Sequence, residues 1–307
     1  MKNVLVIYYT QSGQLLEISK NITEALENSD NVKLTFYEIK LKKDFPFPWN
    51  RENFYDAFPE TFLQIPTELN DLDNPKLKEQ YDLIILSYQV WYLSPSIPIN
   101  SFLKSDIASK LLKDTPIITV IGCRNMWIQA QEKVKKLLVT NQAKLVGNIA
   151  LVDRHINHIS VITIVQWMFS GIKKRYLGIF PKPGVSDKDI KESTKFSDVI
   201  LKKLLNNNFD SLQKELLEKN AIKIKPFLVL MDKRANVLFS KWANFIYPKG
   251  GSMTKERKPW IKLFNTYLVF AIWVIAPIVF ILFLLTYIPL INKRKRAEKY
   301  YSSIELK

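Results

Sequence analysis

The sequence has few of the residues that build disulfide frameworks and metal sites. Among its 307 residues there are one cysteine, Cys123, and two histidines, His155 and His158. A single cysteine excludes an intramolecular disulfide framework and any site with several thiolate ligands, and so few imidazoles disfavour zinc. We therefore expect no metal site. Glycine occurs only 8 times, which excludes a collagen-like chain.

The chain also lacks a secretory signal and any recognisable nucleic-acid motif. An apolar strand begins almost at the N-terminus, with no basic segment and apolar core before it, so the main domain is expected in the cytoplasm. Lys and Arg total 45 against 29 acidic residues, a formal net charge of +16. This balance favours anionic lipid, an acidic protein or nucleic acid. Because no nucleic-acid motif accompanies the charge, we expect no nucleic-acid partner.

What the sequence does contain begins with the segment Val4–Leu16. An apolar run of strand length passes through a hydroxyl-bearing turn with one glycine, Gly13, and continues as a helical pattern. The free N–H groups and the positive dipole end of such a helix favour a bound anion, most often phosphate. The dinucleotide fingerprint and the Walker lysine are both missing, so a monophosphate fits better. An ordinary capped helix after a buried strand is the alternative.

Strands and helices alternate through the first half of the chain. After the strand from Val4, apolar or alternating runs predict strands at Val32–Ile39, Tyr81–Ser87, Pro116–Ile121 and Lys144–Val152. The alternation implies right-handed βαβ units and a parallel sheet, hence a doubly wound α/β fold.

Three loops are expected to meet beyond the carboxyl ends of these strands, where ligands of such sheets bind. They are Thr10–Gln14, Gln89–Ser94 and Cys123–Trp127. One offers phosphate-binding groups, and the other two offer aromatic rings and polar donors. That combination suits a planar, phosphorylated cofactor.

Three further segments lie outside this alternation. The stretch from Phe45 to about Leu72 is predicted to be irregular, either a lid over a pocket or a plug at one edge of the sheet. The run Ile159–Ile172 is too short to cross a bilayer and suits a core, interfacial or dimer helix, so a homodimer is one expectation. Ser186–Leu205 is predicted to be a capped surface helix that closes the domain.

The C-terminal part contains a long uncharged run. No charged residue occurs over the 29 positions from Leu263 to Ile291. About 20 apolar residues span a bilayer, so a membrane segment is expected, with a buried core helix as the alternative. Because both flanks are basic, the positive-inside rule gives no orientation. Either the tail crosses the membrane, or the segment turns back near Pro277 and both ends stay cytoplasmic. The predicted units are 1–205, an extension 206–262, the membrane segment 263–291 and a basic tail 292–307.

Two loops resemble those of a known fold family. The turn Thr10-Gln11-Ser12-Gly13-Gln14 resembles the phosphate loop of flavodoxins, which wraps the phosphate of FMN; Leu15 stands where that family usually has another threonine. Gln89–Ser96 is similar to the ring-binding loop of flavodoxin-like NAD(P)H:quinone oxidoreductases, and Cys123–Asn125 falls where the second flavin loop lies. The resemblance covers residues 1–205 and implies a flavodoxin-like sheet of five parallel strands in the order 2-1-3-4-5. The residues that it implies for FMN binding are Thr10, Gln11, Ser12, Gly13, Gln14, Leu15, Gln89, Val90, Trp91, Tyr92, Cys123, Arg124 and Asn125.

The whole chain also resembles a narrower group, on its Phe45–Trp49 motif, its His155–His158 segment and its C-terminal apolar segment. This group is the DarA-type, flavodoxin-like proteins of dialkylresorcinol and flexirubin-type pigment clusters. The resemblance implies an FMN-dependent aromatase that oxidises a dialkyl-cyclohexanedione, made by a partner ketosynthase, to a 2,5-dialkylresorcinol. The further partners expected are a hydrophobic substrate, a membrane and an acyl carrier protein. The expected location is the cytoplasmic face of the inner membrane.

Such a reaction needs a base near neutrality and a group that stabilises an enolate. His155 and His158 are the candidates for the base, and they share a face if the segment is helical. Arg124 is the candidate for stabilising the enolate, and Tyr92 is the candidate for stacking on the ring or donating a hydrogen bond. Cys123 is expected to be a small buried residue rather than a nucleophile. Two other functions stay open: a membrane-anchored NAD(P)H:quinone oxidoreductase, and an FMN-free scaffold for a ketosynthase.

Overall fold

Five parallel strands form the centre of the molecule in the computed structural model, which describes residues 1–306. They are β1 Lys2–Tyr8, β2 Val32–Glu38, β3 Leu83–Trp91, β4 Pro116–Cys123 and β5 Lys144–Val152. Their order across the sheet is β2-β1-β3-β4-β5. This is the flavodoxin-like order, and it confirms the predicted fold.

Helices cover both faces of the sheet, which explains why the inner strands β1, β3 and β4 are mostly apolar. The chain-ordered helices are α1 Gln14–Ile22, α2 Glu24–Glu27, α3 Arg51–Asp56, α4 Phe58–Leu63, α5 Ile97–Leu103, α6 Asp106–Leu112, α7 Ile128–Thr140, α8 Asn157–Ser170, α9 Asp187–Lys191, α10 Ser197–Leu205, α11 Leu212–Glu218, α12 Pro226–Ile246, α13 Lys258–Phe270, α14 Ala276–Leu285 and α15 Ile291–Tyr301. Helices α1, α10 and α11 contribute to the core on one face. Helices α5, α6 and α7 contribute to the core on the other, joined there by Val229 of α12 and Tyr301 of α15.

The stretch predicted to be irregular contains two short helices. In α3 the side chain of Asn50 caps the first turn, its Oδ1 accepting from the backbone N–H of Asn53 at 2.8 Å. In α4, Pro59 lies in the first turn, where a missing N–H costs nothing. The expectation of a wholly irregular segment was therefore wrong, because α3 and α4 form two short helices within it.

The segment Ser186–Leu205 also differs from its prediction. The cap at Ser186 is confirmed, because its Oγ accepts from the N–H of Asp189 at 3.0 Å. The segment is not one surface helix, however. It consists of α9, a 3₁₀ turn at Glu192–Phe196, and α10, and it contributes Ile190, Phe196 and Ile200 to the core.

Helix α12 joins the C-terminal segments to the domain. Its Asp232 is fully buried, and Oδ2 of this residue accepts from the N–H groups of Ile128 and Gln129 at 2.9 and 3.3 Å. A carboxylate on a distant helix thus caps the start of α7. Burial raises the pKa of Asp232 to about 7, although the two backbone hydrogen bonds oppose the shift.

One helix among residues 1–306 is long and apolar enough to cross a membrane, running over the 28 residues Lys258–Leu285. It comprises α13, a π-helical turn at Ala271–Ile275, and α14. The chain does not turn back at Pro277, since the π-helical turn accommodates the missing N–H. It turns only after Leu285, and α15 then returns to pack on the domain.

Candidate functional site

A cavity of about 280 Å³ lies beyond the carboxyl ends of β1, β3 and β4. This size is near the lower end of small-molecule pockets, which is roughly 300 Å³. The three predicted loops meet here. Of the predicted residues, those that line the cavity are Gln11, Ser12, Gln14, Leu15, Gln89, Val90, Trp91, Tyr92, Cys123 and Arg124. Thr10, Gly13, Asn125, His155 and His158 are not among the lining residues.

The predicted anion-binding end of the cavity is the turn from β1 into α1. Gly13 precedes the helix with φ of 79°, a left-handed conformation that suits glycine. Its N–H donates to Oγ1 of Thr10 at 3.1 Å, and this hydrogen bond holds the turn in place. Within the described chain no side chain caps α1, so its first N–H groups remain free for an anion.

Two glutamine side chains of this turn bind other parts of the protein. Oε1 of Gln14 accepts from the N–H of Val185, and its Nε2 donates to the Val185 carbonyl, both at 3.1 Å. Oε1 of Gln11 accepts from Nε1 of Trp49 at 3.1 Å. These contacts hold the 184–185 loop and Trp49 against the turn. Gln11 and Gln14 therefore shape the walls around the anion-binding end.

Aromatic rings form the wall at the other end. Trp49 packs edge-on against Trp91 at 5.4 Å between ring centroids, and against Phe54 at 5.8 Å. Trp49 is buried, and its backbone N–H donates to the carbonyl of Met168 on α8 at 2.8 Å. The motif around Trp49 is thus fixed between the turn before α1 and α8. Phe47, Trp49 and Phe54 of this stretch line the cavity.

Tyr92 lies in a strained two-residue turn at the end of β3. Tyr92 and Leu93 have φ of 45° and 59°, and the flanking pairs Val90–Pro95 and Trp91–Ser94 form a short antiparallel ladder. Positive φ at two residues other than glycine stores strain, which is common at binding sites. Burial raises the pKa of Tyr92 well above its usual value. Its neutral hydroxyl donates to the carbonyl of Phe54 at 2.7 Å.

Arg124 brings the positive charge to the cavity. Its Nη2 donates to Oδ1 of Asn157 at 3.0 Å, and Nδ2 of Asn125 donates to the same oxygen at 2.9 Å. Asn125 therefore positions Asn157, which in turn positions Arg124. Burial lowers the pKa of Arg124 to about 10, so the guanidinium remains cationic at neutral pH. Burial also raises the pKa of Cys123, which keeps its thiol protonated and agrees with a packing role.

The two histidines do not share a helical face, because α8 begins at Asn157 and His155 precedes it. Nδ1 of His155 lies 2.7 Å from Oδ1 of Asp153, a fully buried side chain whose Oδ2 accepts from Ser160 at 2.7 Å. Nε2 of His158 instead lies 3.1 Å from the carbonyl of Ile272 in the long apolar helix. The carboxylate therefore orients His155, whereas His158 is engaged in a contact between helices.

One wall of the cavity was not predicted as a binding element. Ile164, Trp167 and Met168 of α8 line it, together with Gly184. At Gly184, φ is 80° and a Cβ would lie 2.7 Å from Trp167 and 2.8 Å from Gln14, so the close packing needs glycine. In the sequence, α8 was recognisable only as a short apolar run. Nothing in that run indicates which face meets the cavity.

With strand order and cavity established, the chain is an α/β protein of flavodoxin-like fold. No family model matches the sequence, and the search of curated proteins finds no match. Among solved structures, it is similar to a flavoprotein in complex with FMN from Lactobacillus acidophilus, with 16% identity over 49% of this chain and 93% of that one, at a TM-score of 0.36. It is also similar to oxidised flavodoxin 1 from Bacillus cereus, with 13% identity over 65% and 97% of the two chains and a TM-score of 0.36. The chain is similar to a flavone reductase as well, with 12% identity over 66% of this chain and 63% of that one, at a TM-score of 0.37.

Proposed function

We propose that the protein is an FMN-dependent oxidoreductase. One observation carries the proposal: a single cavity joins the uncapped start of α1 to a wall of aromatic rings. The free N–H groups of the α1 turn and the hydroxyl of Ser12 suit the phosphate of a mononucleotide. Trp91 and Tyr92 suit a flat ring system, and Arg124 places a positive charge beside it. When bound, the flavin would supply a two-electron acceptor.

The substrate class that we propose is a hydrophobic ring compound, a dialkyl-cyclohexane-1,3-dione that is oxidised to a 2,5-dialkylresorcinol. The conversion would remove two hydrogens from the ring, one as a proton to a base and one together with its electron pair, for which a bound flavin would supply the acceptor. An aromatic cavity excludes water and favours such a ring over polar substrates. The side chain of Phe54 contacts both Trp49 and Tyr92, at 5.8 and 5.4 Å between centroids, so the cavity wall is apolar on two sides.

Two side chains suit the proton chemistry of this proposal. Arg124 lies at the cavity and would stabilise an enolate oxygen as the ring loses its proton. Of the two histidines, neither of which is among the residues that line the cavity, His155 is the better base candidate. With Nδ1 bonded to Asp153, a hydrogen on Nδ1 leaves Nε2 free to accept a proton. Nε2 of His158 faces a carbonyl and so acts as a donor there.

The partners in this proposal are a ketosynthase that supplies the dione and an acidic acyl carrier protein. The net charge of +16 would attract such a carrier and accelerate its encounter with the protein. The proposed location is the cytoplasmic face of the inner membrane, where the alkyl chains of substrate and product partition into lipid.

The visible spectrum of the purified full-length protein tests the proposal. We expect a yellow protein with one FMN per chain, whose flavin band bleaches when a dialkyl-cyclohexanedione is added anaerobically and a resorcinol forms in equal amount. A protein that stays colourless and takes up no FMN would overturn the proposal in favour of a scaffold. Rapid stoichiometric oxidation of NADPH by a soluble quinone, without bleaching by the dione, would indicate a quinone oxidoreductase instead.

A further inference from the structure

The long apolar helix is covered by the domain along one side for its whole length. Its most buried side chains are Ile261, Phe264, Ala276 and Phe283, and half-buried positions continue the same side between them at Leu268, Ile272 and Ile275. These residues recur at spacings of three, four and seven, which places them on one helical face. A helix that left its domain to cross a bilayer would have no such continuous face.

Contacts at three points fix this face to different parts of the domain. Near the start, the ring of Phe264 stacks on Phe58 of α4 at 3.8 Å between centroids. In the middle, His158 of α8 reaches the carbonyl of Ile272. Near the end, Phe283 packs against Phe227 of α12 at 5.3 Å. A 28-residue helix is about 42 Å long, so the three contacts run across one side of the domain.

The chain then returns to the same domain. Tyr301 of α15 is buried in the core beside α7, and the hydroxyl of Tyr300 donates to Glu132 of α7 at 2.5 Å. Nζ of Lys135 donates to the carbonyl of Glu305 at 2.7 Å. The residues before and after the long helix therefore lie on one side of any membrane that the helix meets.

The opposite face of the helix is exposed and apolar. Its exposed large side chains are Leu263, Val269, Phe270, Trp273, Val274, Ile278, Phe280, Ile281, Leu282, Leu284 and Leu285, continued by Tyr287, Ile288, Leu290 and Ile291. A patch of this kind marks a lipid or protein contact. Exposed basic residues flank it at both ends: Lys255, Lys258 and Lys262 before it, and Lys293, Lys295 and Arg296 after it. Positive charge at both ends suits anionic headgroups.

We propose that this helix lies in the plane of an anionic membrane surface, with its outer face embedded and both of its ends on the side of the domain. The domain takes the place of the polar face that interfacial helices usually have. Crossing the bilayer instead would expose Phe58 and separate Tyr301 from the core. The proposal does not depend on the activity proposed above, because it rests on these contacts alone.

Depth measurements on the full-length protein test the proposal. Single cysteines are placed at Leu263, Phe270, Ile281 and Leu285 in a Cys123→Ser background, spin-labelled, and bound to vesicles of equal parts phosphatidylglycerol and phosphatidylcholine. We expect one shallow depth at all four positions. A depth that reaches the bilayer centre at Phe270 and returns to the surface at Leu285 would overturn the proposal. A label at Val139, which is 61% exposed on α7, is the matched control and should stay in water.

The two ends of the helix provide a second test. Cysteines at Glu256 and Lys299, both exposed, are treated with a membrane-impermeant maleimide outside the vesicles. We expect complete labelling at both positions, whereas protection of one of them would show a crossing. Partition should be at least tenfold weaker into vesicles of phosphatidylcholine alone, since each headgroup-facing cation contributes about 1 kcal/mol. Equal partition, or a stable dimer in buffer that binds no vesicles, would contradict the lipid assignment.

Discussion

Single residues explain the conformation of the turn that precedes α1. Gly13 has a positive φ, and a Cβ there would meet nothing within 4 Å, so the need for glycine is conformational. We expect Gly13→Ala to lower the free energy of unfolding of the FMN-saturated protein by about 1–2 kcal/mol, the cost of a left-handed residue with a Cβ. Urea denaturation measures it. The Gly13→Asn variant should lose much less, because Asn tolerates this conformation. Wild-type stability in both variants would contradict the strained-turn interpretation.

Asp232 makes the stability of the fold depend on pH. Burial raises its folded pKa to about 7, above an unfolded value of about 3.9. The folded state therefore binds more protons than the unfolded state between these values, and stability falls as pH rises from about 4 to about 7. We expect Asp232→Asn to remove this component, as measured by urea denaturation at several pH values. An unchanged slope over that range would show that Asp232 does not titrate with a raised pKa.

The two histidines should behave differently when each is replaced. His155→Ala is expected to bind FMN normally but to lose most dione oxidation, since general-base catalysis typically contributes 10²–10⁴-fold. His158→Ala should keep turnover and loosen the apolar helix, because His158 contacts the Ile272 carbonyl. Single-turnover flavin bleaching measures the first effect, and proteolysis near Ile272 the second. Undiminished bleaching in His155→Ala would remove this residue from the mechanism.

For helices and strands, the pattern of buried residues determines how well the sequence predicts each element. The strand Lys144–Val152 has the predicted ends, and its second half is buried, as expected of a strand covered on both faces. Helices α3 and α4 were missed although Phe54, Phe58 and Phe62 recur at a helical spacing of four, because each helix has only six residues and the segment is rich in proline. The cavity-lining face of α8 was missed for a different reason. This helix is apolar on most sides, so its sequence does not separate the face toward Trp49 from the others.

Arg257 is the main polar attachment of α13 to the domain. It is fully buried, with Nη1 and Nη2 at 2.5 and 2.6 Å from the two carboxylate oxygens of Glu60, and Nε at 3.2 Å from Asp56. We expect Arg257→Ala to cost about 3–5 kcal/mol, because two carboxylates lose their buried partner. The neighbouring Lys258 pairs with Glu52 at 2.6 Å but is half exposed. Lys258→Ala should cost at most about 1 kcal/mol.

Urea denaturation in mild detergent measures both variants, and protease cleavage before α13 reports on its attachment. Equal, small effects would show that the apolar contacts of Phe264 alone hold the helix.

For the whole molecule, alternation predicted a parallel sheet with its loops at the carboxyl ends of the strands, and the flavodoxin resemblance predicted the strand order, but the position of the C-terminal segment was not predicted. Basic residues on both sides of the apolar run leave its orientation open. The position of the segments around this run is set by contacts between residues far apart in the chain, such as Tyr300 with Glu132. Neither partner has a local pattern that predicts the other. The same holds for Gln14 with Val185, which joins the start of α1 to a loop 171 residues later.

Tyr301 makes the C-terminal helix part of the domain core. We expect Tyr301→Ala to destabilise the domain by about 3–5 kcal/mol, the range for deleting a buried aromatic ring. The expected result is a lower urea midpoint with an unchanged slope. The exposed Lys299→Ala change on the same helix is the control and should be within about 0.5 kcal/mol of the wild type. Similar midpoints for the two variants would mean that α15 contributes nothing to the core.

The return of α15 also sets an order of events during synthesis. The core layer built by α7 stays open until residue 301 has left the ribosome, because Tyr301 belongs to it. The residues that hold one side of the apolar helix, Phe58, His158 and Phe227, precede it in the chain, whereas the core beside α7 stays open until α15 docks. Newly made chains therefore expose apolar core surface of the domain for a time, which makes them prone to aggregation.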